Sequence, residues 1–194
     1  MAIRASTEAR LLDAADALLF RRGVAATPVD RVLELAGASP ATLYRAYGSK
    51  EGLVAAALAR RHERWLAVWD EAVAEAADDR GRLLAVFEAL DRFRARPDGA
   101  RWCAVLGTAA EYAEAPLEID AAVRRDTDAL RARLQARAAP LVGPAAAEGL
   151  AEALLLVVSG ALAMRLRDGA GGPGRAVAEV LVDAAVRDSG GASA

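Results

Sequence analysis

Two helix starts separated by a single turn lie close together in the N-terminal third of the chain. Ser39 is a favourable N-cap, and Pro40 fits the first helical position, where its fixed φ and missing N–H cost nothing. Gly48 gives a turn signal, and Ser49 is a second N-cap. The sequence therefore predicts a helix of about two turns that begins at Pro40, followed at once by another that begins at Lys50.

A similar start signal stands upstream at Thr27 and Pro28, where apolar residues follow at helical spacing. The segment 36–39, with the sequence AGAS, joins this helix to the one that begins at Pro40. Two short helices joined by a tight turn that contains glycine are typical of a helix-turn-helix unit. Residues 40–47 are then the second, recognition helix of that unit.

An amphipathic helix is predicted over residues 7–22, and Gly23 ends it. Its apolar face is formed by Leu11, Ala15, Leu18 and Leu19. Packing of this helix against the following pair would give a three-helix head over residues 1–49. No segment of the sequence signals a strand.

Lys50 is the only lysine among the 25 basic residues, and it stands in the first turn of a predicted helix. A cation at that position opposes the helix dipole by about 0.3–1 kcal/mol. The placement is favourable if a phosphate docks on the same N-terminus. A solvated surface lysine is the alternative interpretation.

The rest of the chain, residues 50–188, is predicted to be helical as well, so the fold class is all-α: a helix-turn-helix head and an α-helical body. A long helix from Lys50 links the two parts. The other predicted helices are marked by residues 83–93, 101–114, 117–138, 144–167 and 174–187. Residues 189–194 are rich in Gly and Ser and are expected to form a disordered tail.

The last two predicted helices have apolar faces wider than one side of a monomeric helix pair would bury. We interpret them as a homodimer interface, in which the two helices pair with their symmetry mates as a four-helix bundle. The residues predicted for this interface are Leu154, Leu155, Val158, Leu162, Val177, Val180 and Leu181.

Composition argues against an enzyme, a metal site and a disulfide framework. Cys103 is the only cysteine, so no disulfide is possible within the chain and a reducing compartment, the cytoplasm, is expected. His62 is the only histidine, in an arginine-rich run, and is interpreted as solvated or interdomain rather than catalytic. The glycines at 169–174 follow an apolar helix rather than a strand, so they are not a phosphate loop. No cofactor is expected.

Charge and hydropathy point to a soluble protein that contacts DNA through one end. The net charge is −2, but residues 1–50 carry seven basic and five acidic side chains. The N-terminus lacks a basic and apolar leader. The most apolar run, residues 153–164, falls short of the roughly 18–20 residues that span a bilayer, so a buried helix and no membrane contact are expected.

The order of residues in the head resembles the DNA-binding domain of the TetR family of one-component bacterial regulators. The residues that carry the resemblance are Gly23, Thr27, Val32, Ala36, Gly37, Ser39, Thr42, Leu43, Tyr44, Tyr47, Lys50, Glu51 and Leu53.

The resemblance implies a role for individual residues. It assigns phosphate contacts to Thr42, Tyr44 and Lys50, and a capping and backbone-contacting position to Thr27. The base-facing positions are Pro40, Ala41 and Arg45, and the core positions are Leu43 and Tyr47. The chain departs from the family at Ala46, where histidine is common, and at Ala41, where glycine is frequent.

Aromatic side chains in an alanine-rich body could line a cavity. The alternative is that these rings fill the core. The resemblance favours a cavity, because this region holds the effector in TetR-like proteins. The candidate ligand-binding residues are Trp69, Phe87, Trp102, Cys103, Leu106, Glu111 and Tyr112.

Two functions of different classes follow from these features. The first is a homodimeric repressor that binds a palindromic double-stranded DNA operator and is released by a small, largely apolar effector. The second is an all-α small-molecule carrier or interaction protein with a vestigial helix-turn-helix. Binding to any duplex at low salt separates them, because phosphate contacts alone give dissociation constants of about 10⁻⁴–10⁻⁶ M.

Overall fold

The helical periodicity of the sequence is realised along the chain. The computed structural model describes residues 4–96, 103–169 and 172–191, and within them it has nine helices and no strand. The all-α fold class is confirmed. The helices are α1 (Ala5–Arg22), α2 (Val29–Ala36), α3 (Pro40–Tyr47), α4 (Lys50–Ala74), α5 (Asp79–Ala95), α6 (Ala104–Ala110), α7 (Leu117–Val142), α8 (Pro144–Asp168) and α9 (Gly174–Gly191).

The chain forms two compact units. The head unit comprises residues 1–64 and 97–126, and the body unit comprises residues 65–96 and 127–194. Both α4 and α7 contribute residues to each unit. The division lies within α4, whereas the sequence placed it at residue 49, because the first half of α4 packs with the core of the head unit.

The core of the head unit joins one face of each of its helices. Leu11 and Leu19 of α1, Val32 of α2, Leu43 of α3 and Leu53 of α4 are at most 1% exposed. They pack in a single cluster that also includes Ala104 of α6 and Ile119 of α7. The three-helix head predicted from the sequence is therefore completed by parts of three later helices.

The predicted limits of α3 are confirmed. The Ser39 hydroxyl accepts a hydrogen bond from the Thr42 N–H at 3.3 Å, as an N-cap does. Gly48 ends the helix with φ at 76°, a value that favours glycine. Ser49 then caps α4, since its hydroxyl accepts from the Gly52 N–H at 2.9 Å.

Gly52 allows the start of α4 to approach the end of α3. A Cβ atom at this residue would lie 2.0 Å from the carbonyl oxygen of Tyr47. No side chain fits in that space, so the absence of one at Gly52 sets how closely the two helices meet. The sequence placed a helix here without indicating this contact.

The core of the body unit is built around Trp69, which is fully buried. Leu83 and Leu84 of α5, Leu134 of α7 and Leu154 of α8 belong to the same cluster. At the start of α5, the Asp78 side chain accepts a hydrogen bond from the Gly81 N–H at 2.6 Å.

Several helix limits differ from those predicted. Among the described residues α6 is shorter, since it covers Ala104–Ala110, and α7 runs on to Val142 through Pro140. Helix α9 extends to Gly191, so residues 189–191 are helical rather than part of a disordered tail. Residues 192–194 lie outside the described residues.

Helix α8 is buried on one face only. Its stretch Pro144–Arg167 is long and apolar enough, by length and composition, to cross a membrane, and 28% of the apolar window is buried. These criteria are weak evidence for a membrane span, because the core helix of a soluble protein also meets them. The run 153–164, expected to be buried, is buried on one side of the helix and exposed on the other. Leu154 is fully buried, whereas Leu156, two positions further on, is 74% exposed.

Candidate nucleic-acid interface

Helix α3 presents a polar and small-residue face to solvent. Pro40, Ala41, Tyr44 and Arg45 are exposed, and Tyr44 is 50% exposed. On the opposite side Leu43 is fully buried and fixes the rotation of the helix about its axis. The exposed face can therefore offer a guanidinium and a phenolic hydroxyl to an external partner.

The turn between α2 and α3 is fixed by backbone hydrogen bonds. Gly37 ends α2 in the left-handed conformation at φ 58°, and the Ala38 N–H donates to the Leu33 carbonyl at 3.1 Å. The Arg10 Nε of α1 donates to the Ala36 carbonyl at 3.0 Å. This last contact, between residues far apart in the sequence, carried no local signal.

Thr42 lies at the N-terminus of α3 and is half-buried. Its hydroxyl is 2.9 Å from the Ser39 hydroxyl, and its backbone N–H donates to the same group. A hydroxyl and the N-terminus of a helix favour an anion at this position. The phosphate contact assigned to Thr42 stays a prediction.

Thr27 has a different role from the one assigned to it. It is 3% exposed, and its hydroxyl donates to the Gly23 carbonyl at 2.7 Å. Helix α2 has Pro28 at its N-cap and no side-chain cap. The capping role is therefore wrong, whereas the contact with the DNA backbone assigned to Thr27 stays a prediction.

Lys50 already has a partner within the head unit. Its Nζ donates to the carbonyl oxygen of Val24 at 2.5 Å. An ammonium group carries three N–H donors, so one internal bond leaves two for a phosphate. The bond to Val24 holds the ammonium beside the start of α4.

Glu111, predicted to bind a ligand, is hydrogen-bonded to the same peptide segment. Its carboxylate accepts hydrogen bonds from the backbone N–H groups of Val24, at 2.9 Å, and Ala25, at 2.6 Å. Carboxylate acceptors make stronger hydrogen bonds than neutral ones. The segment between α1 and α2 is therefore held to residues just after α6, within the head unit.

Comparison with known proteins identifies the family of this architecture. Residues 11–57 match the family model described as bacterial regulatory proteins, tetR family. A putative TetR transcriptional regulator from Streptomyces avermitilis is 31% identical, with a TM-score of 0.74, over 92% of this chain and 97% of that one. The chain belongs to the TetR family.

Other TetR-family structures share the fold. A transcriptional regulator from Streptomyces coelicolor is 24% identical with a TM-score of 0.77, over 95% of this chain and 90% of that one. One from Agrobacterium tumefaciens is 20% identical with a TM-score of 0.75, over 92% and 96% of the two chains. No curated protein matches the sequence. The TetR family is one of DNA-binding transcriptional regulators.

The effector residues predicted from the TetR resemblance fall in both units. Trp69 and Phe87 belong to the body unit, and Trp102 lies outside the described residues. Those in the head unit are Cys103, Leu106, Glu111 and Tyr112. Burial raises the pKa of the Cys103 thiol, which favours its protonated form at neutral pH.

Two arginines of α7 cover the buried Trp69 ring. The guanidinium carbon of Arg133 lies 5.6 Å from the ring centroid, and that of Arg137 lies 5.2 Å from it. Arg133 forms an ion pair with Asp70. The sequence contains no signal for this contact, because helical periodicity does not show which aromatic ring a guanidinium will cover.

The residues predicted for the dimer interface differ in how far their side chains are buried. Leu154 and Val158 are at most 1% exposed in the core of the body unit, so their side chains are not available to a second copy of the chain. Val177 and Val180 are 43% and 67% exposed. The half-buried members are Leu155, Leu162 and Leu181. Four apolar side chains outside the predicted set are also exposed on α8 and α9: Leu156, Met164, Leu166 and Val186.

His62 is not a solvated side chain. Its Nδ1 lies 2.7 Å from the Asp126 carboxylate, and its side chain is 12% exposed. Nearby in the head unit, the buried Asp16 carboxylate pairs with Arg60 at 2.8 Å and with Arg64 at 3.2 Å. These contacts connect α4 to α1 and α7 within the head unit.

Proposed function

We propose that the protein is a cytoplasmic, homodimeric transcriptional repressor that binds a palindromic DNA operator and leaves it when a small molecule binds the body unit. The observation that carries the proposal is the exposed face of α3. That face displays Tyr44 and Arg45, while Leu43 anchors the helix in the core of the head unit.

Some of the exposed residues are suited to contact bases, and others are suited to contact phosphates. A guanidinium such as that of Arg45 pairs in the major groove with the two acceptors of guanine. Pro40 and Ala41 are small enough to let the helix N-terminus approach the base edges. Hydroxyl and ammonium groups, as in Tyr44 and Lys50, suit phosphates and carry no sequence information.

Dimerisation is supported by two apolar stripes on the body unit. On α8, Leu156, Gly160 and Met164 are exposed along one side, and on α9, Val177 and Val180 are exposed. Apolar area of this kind is stabilised when a second copy covers it. A two-fold dimer presents two copies of α3, so the operator would be palindromic.

Effector control is supported by helices that contribute residues to both units. Helix α4 contributes its first half to the head unit and its second half to the body unit. A ligand that prefers one conformation of the body can shift the position of the head only through such shared elements. The coupling would be about 1–3 kcal/mol, and bound DNA would weaken the ligand by the same factor.

Selection of bound sequences from a random duplex library tests the proposal. We expect enrichment of a palindrome with two half-sites. Binding without enrichment would contradict sequence-specific regulation. Absence of binding to any duplex at low salt would instead favour the alternative, a small-molecule carrier with a vestigial helix-turn-helix.

A further inference from the structure

Trp69 has a polar group that its own unit leaves unpaired. The side chain is fully buried, and its indole N–H has no hydrogen-bond acceptor among the described residues. The Nε–H of Arg137 is likewise buried without an acceptor there. Buried donors of this kind cost free energy unless an acceptor satisfies them. Both donors belong to one cluster, because the Arg137 guanidinium covers the Trp69 ring.

The same cluster carries an excess positive charge. Arg133 and Arg137 both approach the Asp70 carboxylate, Arg133 as a close ion pair and Arg137 at 3.6 Å. Two guanidiniums thus share one carboxylate. Burial, and then repulsion from Arg133, lower the pKa of Arg137.

Two other arginines of the body unit each pair with two carboxylates. Arg131, on the same helix as Arg137, pairs with both Glu152 and Asp128. Arg92 pairs with Glu75 at 2.6 Å and with a second carboxylate as well. The cluster at Trp69 differs from these pairs because it has one carboxylate, that of Asp70, for two guanidiniums.

We propose that the effector is an organic acid whose carboxylate binds Arg137 and the indole N–H of Trp69. This inference rests on the proposed function and deepens it, since the effector expected from the sequence was only largely apolar. A carboxylate offers several acceptor positions and one negative charge, which match two unpaired donors and one uncompensated cation.

The surroundings of the cluster favour an aromatic or otherwise apolar skeleton for that acid. The Trp65 ring lies 5.7 Å from Trp69, and the Phe93 ring lies 5.7 Å from Trp65 in an edge-on arrangement. Both side chains are only partly buried, so they offer apolar surface beside the charged group. The ligand class is therefore a carboxylate attached to a ring or chain.

The test compares three probes with one skeleton: cinnamate, cinnamyl alcohol and cinnamylamine. Isothermal titration calorimetry with the full chain at fixed salt measures each dissociation constant. Hydrogen bonds to charged groups are the stronger ones, so we expect cinnamate to bind at least about tenfold more tightly than the alcohol. The amine should be the weakest. Equal binding of the three probes, or no binding of cinnamate at millimolar concentration, would overturn the inference.

Variants of the protein test which residues produce the preference for cinnamate over the alcohol. Arg137→Gln should abolish the advantage of cinnamate over the alcohol, whereas Arg131→Gln, on the same helix, should preserve it. Trp69→Phe keeps a six-membered aromatic ring but removes the N–H together with the five-membered ring, so it should weaken cinnamate severalfold and should also weaken the alcohol by the part that is due to lost packing. Arg137→Lys retains the positive charge and should keep part of the advantage of cinnamate over the alcohol. Circular dichroism shows whether each variant is folded. Retention of the full advantage in Arg137→Gln would overturn the assignment.

DNA binding is measured separately on the selected operator. If the protein binds no operator but prefers cinnamate at Arg137, the proposed function fails and the ligand class stands. If it binds an operator but shows no preference for the carboxylate, the ligand class fails and the proposed function stands.

Discussion

The Glu111 carboxylate accepts a hydrogen bond from the backbone N–H of Val24 at 2.9 Å, although the two residues are 87 positions apart. The Val24 carbonyl in turn accepts from Lys50. One peptide segment of the head unit is thus hydrogen-bonded both to a residue that follows α6 and to the first residue of α4. Its position depends on both elements.

Removing the charge of Glu111 should destabilise the head unit. Glu111→Gln keeps one oxygen acceptor for two backbone N–H groups, so we expect a loss of about 1–3 kcal/mol in the free energy of unfolding. Urea denaturation measures it. Glu114→Gln, at an exposed position nearby, is the matched control and should change little. Equal stability of the two variants would contradict the role of Glu111.

Lys50→Ala should weaken binding to all duplex sequences alike. If the ammonium contacts one phosphate, the slope of log affinity against log salt should fall by about one. Affinity titrations at several salt concentrations measure this slope, and Tyr44→Phe, which removes only a hydroxyl, serves as an uncharged comparison. A loss confined to one base position would be incompatible with a phosphate contact.

Arg45→Ala should instead relax specificity at one position of each half-site. A bidentate contact with a base is worth about 1–3 kcal/mol of discrimination. Repeating the library selection with the variant identifies the position that loses its preference. A uniform loss of affinity with unchanged preferences would place Arg45 on the DNA backbone rather than on a base.

Charges on the apolar stripes should prevent dimerisation. Leu156 and Val180 are exposed in the single chain, so Leu156→Glu or Val180→Glu should leave the core of the body unit intact. In a two-fold interface, however, each substitution would bury uncompensated carboxylates. Analytical ultracentrifugation at micromolar concentration should show monomers. Leu117→Glu, at an 85% exposed site in the head unit, is the control. Variants that remain dimeric would place the interface elsewhere.

Gly52→Ala should destabilise the junction of α3 and α4, although alanine normally favours a helix. The new Cβ would lie 2.0 Å from the Tyr47 carbonyl oxygen, and such overpacking costs about 1–3 kcal/mol. Gly149→Ala in α8 is the matched control, because nothing lies within 4 Å of its Cβ position. That change should stabilise by up to about 1 kcal/mol. Thermal unfolding measures the stability of both variants, and a Gly52→Ala variant as stable as the unchanged protein would contradict the close contact with Tyr47.

Signals confined to a few neighbouring residues were sufficient for the helices of the head. Ser39, Pro40 and Gly48 fixed the limits of α3, since a cap, a fixed φ and a glycine turn act within one helical turn. The order of the residues in this segment also indicated the family. The resemblance to the family assigned Tyr44 and Arg45 to positions that face DNA and Leu43 to the core, and in the structure the first two are exposed and Leu43 is buried.

Tertiary structure decided the partners of the polar side chains. Glu111 was predicted to line a pocket, and its carboxylate accepts hydrogen bonds from Val24 and Ala25. That contact depends on how α6 packs and not on the neighbours of Glu111 in sequence. The pairing of Arg137 with Trp69 likewise required α7 to lie against α4.

Tertiary structure also decided which side of α8 is internal. Its residues are apolar nearly all round, so periodicity alone could not separate Leu154, which is buried, from Leu156, which is exposed. Only the packing of α8 in the body unit makes that distinction. The sequence by itself therefore determined the helices and the family, while the side available to a partner depended on contacts between segments far apart in the chain.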